Sequence, residues 1–447
     1  MADTEMMLGK GSVFGDIAPI RFEGVDTENP LAYRYYNKDQ LVLGKRMEDH
    51  LRMAVCYWHT FCWDGFDIFG AGTFERPWHN AANDRSAADA KMAAAFEFFT
   101  KLDLPYYCFH DVDVTEASAT PDELSNNFKR ASDRLAAHQE ESGVKLLWGT
   151  ANLFSHPRYA AGGLTNPDPE VAACAVRQIR DCLEATHRLG GENYVLWGGR
   201  EGYDTLLNTD LTRELENFGR FLSMVVEHKH KIGFKGKILI EPKPHAPMYH
   251  QYDFDTATIY GFLSRFGLLG EVHVNIEPNH ATLSGHSFAH EVATAVSLDM
   301  MGSIDINSGN YQNGWDTDQF NVDVRDITLA LVELLPSGGL DTGGFNFDAK
   351  VRRQSSDLSD LFHGHIGGAD ALARALLAAA DLIERGEIHD LKQARYAGWN
   401  ESLGKKMLAA DASLASIADH AASSSLNGTH SSGRQEYLEN LVARSIK

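Results

Sequence analysis

KILIE (237–241) is a β-branched, apolar run that stops on a carboxylate, Glu241. Three further runs have the same form: VHVNIE (272–277) closes on Glu277, GSID (302–305) on Asp305 and GGFNFD (343–348) on Asp348. Runs of this kind suit strands buried on both faces of a parallel sheet. About one strand–helix unit separates each from the next, which predicts acids lined up at the carboxyl ends of successive strands on one face of a barrel. Left uncompensated, such crowding costs several kcal/mol per charge. The row therefore predicts a metal cage.

Outward from that row, strand-like and helix-like runs alternate. Candidate strands are 53–58, 106–114, 145–151, 193–199, 237–242, 272–277, 303–306 and 345–349. Candidate helices are 83–102, 121–142, 169–190, 210–231, 254–267, 285–300, 324–335 and 366–386, several opened by Pro and acids and closed by Gly143, Gly190 or Gly233. Eight alternations predict an α/β fold of the TIM (β/α)₈ type over residues 1–386, with an N-terminal extension. A doubly wound sheet would leave several units unplaced. Beyond residue 387 the strands stop, and short helical stretches at 389–397, 412–422 and 434–445 flank a Ser/Asn/Gly/His stretch, 423–433. Residues 387–447 are predicted to be a C-terminal helical arm, lying on another subunit or packed on its own.

Composition narrows the function. The formal charge of −21 disfavours nucleic acid and anionic membranes as partners. The five cysteines form no C-x-x-C pair, and no apolar run approaches membrane-spanning length. The N-terminal MADTEMMLGKGSVFGDI lacks a basic segment followed by an apolar one, so a cytoplasmic setting is expected. Gly198-Gly199 and Gly343-Gly344 make neither a G-x-G-x-x-G nor a P-loop, and no G-x-S-x-G occurs, so no organic cofactor is expected.

Chemistry should sit where the strands end. Trp58 and His59, His110 and Asp113, Thr150, Trp197 and Glu201, Glu241 and Lys243, and Glu277 and His280 all fall at such ends, while Asp316 and Asp318 lie in GWDTDQF. Carboxylates with one histidine and no cysteine suit Mg²⁺, Mn²⁺ or Co²⁺. Glu277-x-x-His280 could serve two ions; Asp316 and Asp318 could instead cap the helix at 324–335. His110-x-x-Asp113 pairs an imidazole with a carboxylate, as a general base requires, provided the strand ends by about Asp111. Trp58 and Trp197 read either as core or as an apolar wall against a sugar.

Taken together, FHDVDV (109–114), VLWGGREGYDTLLNTDL (195–211), LIEPKP (239–244), HQYDFD (250–255), NIEPNHATLSGH (275–286), GWDTDQF (314–320) and FDAKVRRQS (347–355) resemble the xylose isomerases of the longer, class II type. The likeness runs from about residue 10 to GRQEYLENLV (433–442). It implies two divalent cations per subunit. Glu241, Glu277, Asp305 and Asp348 would hold the first, and Glu277, His280, Asp316 and Asp318 the second. His110 and Asp113 match the family's active-site pair, and Lys243 the lysine at the carbonyl end of the sugar. Phe69, in GFDIFGAGT (65–73), matches the phenylalanine that a neighbouring subunit inserts, which implies a homotetramer or at least a dimer. The implied substrate contacts are Trp58, Phe69, Thr150, Trp197 and Lys243. The implied activity is interconversion of D-xylose and D-xylulose, and of D-glucose and D-fructose, by a metal-assisted hydride shift after ring opening. Pro278 replaces a usual alanine and DINSGN (305–310) a usual D-A-N-R-G-D, which removes a charge pair near the metals.

Overall fold

The computed structural model describes residues 12–422 and 431–446. The segment 1–11, most of the stretch read for a leader, lies outside the described residues, as do residues 423–430 of the Ser-rich stretch.

Eight parallel strands close into a barrel: β1 (Ala54–Cys56), β2 (Tyr106–His110), β3 (Lys145–Thr150), β4 (Asn193–Trp197), β5 (Lys237–Glu241), β6 (Val272–Ile276), β7 (Met301–Asp305) and β8 (Phe345–Phe347). Each pairs with its neighbour in sequence, and β8 returns to β1 through Asn346 opposite Ala54. Closure excludes the doubly wound alternative. The outer ring comprises α1 (Asp84–Leu102), α2 (Pro121–Ser142), α3 (Pro169–Arg188), α4 (Leu211–Ile232), α5 (Thr256–Phe266), α6 (Pro278–Leu283), α7 (Phe288–Ser297), α8 (Val324–Leu334) and α9 (Leu358–Arg385).

Period-two alternation decides what reaches the barrel mouth. Cys108, Trp148, Val195 and Leu239 fill the barrel interior, whereas Tyr107, Tyr194 and Ile238 join the core between strands and helices. In β3 a register shift opposite Tyr107 and Cys108 breaks the alternation, so Leu146 also packs in the outer core although it stands two before Trp148. Two residues beyond each interior position the same face recurs, which carries His110, Thr150, Trp197 and Glu241 inward. The outward Ile276, Ile304 and Phe347 likewise leave Glu277, Asp305 and Asp348 facing in. The carboxylates therefore converge because a hydrophobic core claims the alternate positions.

Four expected boundaries move. The run 106–114 is strand only to His110; Asp111–Val114 form a 3₁₀ turn. The run 53–58 is strand only over Ala54–Cys56, and a π-helical turn, Trp58–Cys62, follows, re-aiming Trp58 and His59. The single helix expected at 285–300 is preceded by the short α6, which carries His280. The helix expected at 366–386 starts eight residues earlier, at Leu358. Its glycines serve packing: a Cβ on Gly364 would meet Phe320 at 2.5 Å, and one on Gly368 would meet Phe347 at 2.6 Å.

After the barrel come α10 (Glu387–Tyr396), α11 (Ser402–Met407), α12 (Leu414–Ala422) and α13 (Gln435–Ser445). The last returns to its own barrel, where Leu441 and Val442 pack on Leu382. Between them the arm leaves Tyr396, Trp399, Leu408 and Leu414 exposed.

Candidate active site

A cleft of about 670 Å³ opens at the carboxyl ends of the strands. Trp58, His59, His110, Asp113, Trp148, Thr150, Phe154 and Trp197 line one part of it, and Glu241, Glu277, His280, Asp316, Asp318 and Asp348 the other. Asp305 and Lys243 lie buried beneath.

The acids form overlapping groups. One donor atom each from Glu241, Asp305 and Asp348 lies within 4.8 Å of the others, and so do donors of Glu241, Glu277 and His280, and of Glu277, Asp316 and Asp318. Glu277 thus belongs to two groups. His280 Nδ1 stands 3.0 Å from Glu277, and its Nε2 stands 3.5 Å from Asp316. Burial pushes Glu241 and Asp305 well above the usual carboxylate range, and neighbouring carboxylates push them further. Burial likewise lifts Glu277 to about 7. Asp316 goes the other way: burial opposes its charge, but Lys243 and His280 hold it well below its ordinary value. A buried set of carboxylates that repel one another, with an imidazole and no thiolate among them, fits hard or borderline divalent cations.

Amides hold this set in place. Asn275 Nδ2 donates to Asp305 at 2.9 Å and to Glu241 at 3.1 Å. Asn346 donates to Asp305 at 2.9 Å, and Asn307 to Glu277 at 2.7 Å. Asp318 sits at φ 43°, in the left-handed region, fixed by Asn279, His59 and Lys350. Gly309 lets that loop approach α6, since a Cβ there would lie 1.7 Å from Asn279 Oδ1. Asp323, not Asp316 or Asp318, caps α8.

His59 links the groups, with Nε2 at 3.0 Å from Asp348 and 3.2 Å from Asp318. Burial and Lys350 work against its charge, yet the two carboxylates raise it to about 9. Lys243 pairs with Asp316, and its Nζ stands 5.0 Å from the Trp197 ring centre.

On the other side, Trp58, His110, Phe154 and Trp197 form a chain of edge contacts at 4.5, 5.4 and 4.3 Å. Trp58 Nε1 donates to Asp348 at 2.7 Å. The 3₁₀ turn folds Asp113 back onto His110: Oδ2 accepts from the His110 backbone N–H at 2.8 Å and faces Nδ1 at 3.1 Å. The carboxylate thereby assigns the Nδ1–H tautomer and leaves Nε2 as the free ring nitrogen. The Thr150 hydroxyl donates to Val195 O at 2.6 Å.

One strand-end residue lies elsewhere. Glu201 accepts from the backbone of Gly163, Leu164 and Thr165, where it anchors a loop. Phe69 is 80% exposed and outside its own chain's cleft. The residues the sequence reading passed over are the asparagines, Lys350, Trp148 and Phe154. Asn275 and Asn346 stand two before Glu277 and Asp348, on the same strand face, which is a signal period-two reading can use.

Comparison with known proteins is decisive. The family description "Xylose isomerase-like TIM barrel" matches residues 95–320, and "XylA2 C-terminal domain" matches residues 392–446. A xylose isomerase of Novosphingobium aromaticivorans is 61% identical over 96% of this chain and 99% of its own length. The chain belongs to the xylose isomerase family. The enzymes of that name from Paraburkholderia phymatum and Pseudomonas fluorescens are 60% and 59% identical, each over 97% of this chain and 99% of its own length. Family membership thus accounts for nearly the whole chain, most of the arm included.

Proposed function

We propose that this isomerase interconverts D-xylose and D-xylulose, and D-glucose and D-fructose, at the barrel mouth. The observation that carries the reading is the buried acid cluster facing an aromatic wall, in a chain of this family. Glu241, Glu277, Asp305 and Asp348 would hold one divalent cation, and Glu277, His280, Asp316 and Asp318 a second. When bound, such ions supply positive charge to sugar hydroxyl oxygens and lower the pKa of coordinated water. Mg²⁺, Mn²⁺ and Co²⁺ suit these donors.

His110 Nε2 takes and returns the proton of the ring-opening hydroxyl, with Asp113 fixing the ring. Lys243, buried beside Trp197, donates to the oxygen on C1. The hydride and its electron pair then move from C2 to C1 while the C2 hydroxyl loses its proton and the C1 oxygen gains one. Trp58, Phe154 and Trp197 keep water from the reacting carbons. Thr150 lines the same wall.

Phe69 completes a neighbouring subunit's cleft in a homotetramer. Its loop supports this: Phe66, Ile68 and Phe69 are exposed, yet Arg353 binds the loop through Gly65 O, Ala71 O and Asp67. Residues 387–447 form the second part of the intersubunit contact, beyond the barrel of 1–386. No helix among the described residues is long and apolar enough to cross a membrane, and the five cysteines are unpaired, which suits a cytoplasmic enzyme.

The test is to strip the protein of metal, add xylose, and restore each cation in turn. Xylulose should form only with cation, and deuterium placed at C2 should reappear at C1. Formation without any divalent ion, or complete washout of the label, overturns the reading.

A further inference from the structure

A second group of metal-type donors lies outside the cleft. His286, His290 and Glu291 each offer one donor atom within 4.8 Å of the others. Asp255 stands beside this group, with Oδ2 hydrogen-bonded to His286 Nε2 at 3.2 Å. Glu291 approaches the same nitrogen at 3.9 Å. The two imidazoles, with ring centres 4.7 Å apart, are tilted by 34°.

Each carboxylate is already oriented. Glu291, 3% exposed, uses Oε2 to accept from Thr256 N at 3.0 Å and Thr256 Oγ1 at 2.7 Å, which leaves Oε1 toward His286. Asp255 uses Oδ1 to accept from Thr258 N at 2.7 Å, which leaves Oδ2 toward the same ring. Two carboxylates are thus anchored by one oxygen and presented by the other. His286 and His290 stand one helical turn apart, His286 just before α7 and His290 in its first turn. A tetrahedral ion bound to nitrogen and oxygen at about 2.0–2.2 Å needs donors roughly 3.3 Å apart, close to the 3.2 and 3.9 Å seen here.

We propose that His286, His290 and Glu291, with Asp255 swinging from its His286 hydrogen bond to supply the second oxygen, form a third divalent-cation site of N₂O₂ chemistry, taking Zn²⁺ or Co²⁺ in preference to Mg²⁺. Two imidazoles favour borderline transition ions over the all-oxygen preference of magnesium. The ion ties the start of α5 to the start of α7. Between them α6 carries His280, and a narrow cleft lined by Glu277, His280, Asp255 and Glu291 separates the two metal-type clusters. The site shares no side chain with the catalytic cluster, so the two readings fail independently.

The test loads metal-stripped protein with Co²⁺ or Zn²⁺, removes excess by dialysis, and counts ions per chain by mass spectrometry. The parent should hold one ion more than the His286→Gln/His290→Ala variant, and its cobalt spectrum should carry a tetrahedral d–d band that the variant lacks. A Glu241→Gln/Asp348→Asn chain should retain that band. Equal ion counts with identical cobalt spectra overturn the site. Should the double variant fail to fold by circular dichroism, His290→Ala alone decides, since His290 is exposed and its loss leaves the core intact.

Discussion

The two halves of the barrel mouth differ in kind. Strands β1–β4 deliver rings: Trp58, His110, Trp148 and Trp197, with Phe154 behind them. Strands β5–β8 deliver acids: Glu241, Glu277, Asp305 and Asp348. Alternation of strand faces places most of both sets, with Trp58 brought in by the π-helical turn after β1, so the difference lies mainly in which residues each strand carries near its end. A sugar also has two kinds of surface, C–H faces and hydroxyl edges. One half can exclude water while the other concentrates charge, and each strengthens the other because buried charges interact through a low dielectric.

The largest expected effect comes from erasing the acidic half at its shared member. Glu277→Gln removes a donor common to two groups, so turnover should fall below detection and the number of bound divalent ions should drop. Assay of xylulose together with a metal count checks this. Retained turnover with full ion content would show that the acids are structural.

Lys243→Met tests the point where the halves meet. Loss of a preorganised donor to a developing charge costs roughly 10²–10³ in kcat. KM should change little under the proposed role, in which the donor acts on the oxygen that gains charge. A KM effect without a kcat effect would make Lys243 a binding residue only.

Smaller effects should follow from the supports. Asn307→Ala leaves Glu277 without its 2.7 Å partner, and supports of metal-type donors are worth about 10–100-fold in affinity or activity. A titration of activity against Mn²⁺ should shift by that factor and recover at high metal. Phe154→Ala thins the aromatic half, and here the expected change is a higher KM for xylose, with metal dependence unaltered. If Phe154→Ala shifted the metal titration instead, the division between the halves would be wrong.

How far these parts were legible in the sequence follows the same division. Acids closing apolar runs announce themselves, because charge at the end of a buried strand has few structural uses. Aromatic residues do not, since Trp148 and Phe154 read equally well as core. His59 was visible at a strand end, but the π-helical turn that swings it between Asp318 and Asp348 has no sequence signature. Likewise the earlier start of α9, at Leu358, was not legible, because the packing of Gly364 against Phe320 is a long-range fact. The arm is a mixed case: the helices α10, α12 and α13 were legible and α11 was not, whereas the return of α13 to its own barrel depends on contacts across some sixty residues of chain.

The smallest effect at neutral pH should come from His365, behind the acidic half. It is fully buried among Phe98, Phe320 and Phe347, with Nδ1–H donating to Leu361 O at 2.7 Å and Nε2 unpartnered. Burial pulls its pKa down from 6.5 to about 4. The unfolded chain therefore binds a proton below pH 6.5 that the folded chain refuses until about pH 4. Acidification across that window favours unfolding, by up to about 3 kcal/mol once pH nears 4, while above pH 6.5 the contribution is complete. His365→Leu should leave Tm and activity at pH 7.5 nearly unchanged yet flatten the fall of Tm between pH 6.5 and 4. Parallel pH profiles for the two proteins would mean that the ring accepts its proton without disturbing the packing, and that acid sensitivity belongs to the charged half of the mouth alone.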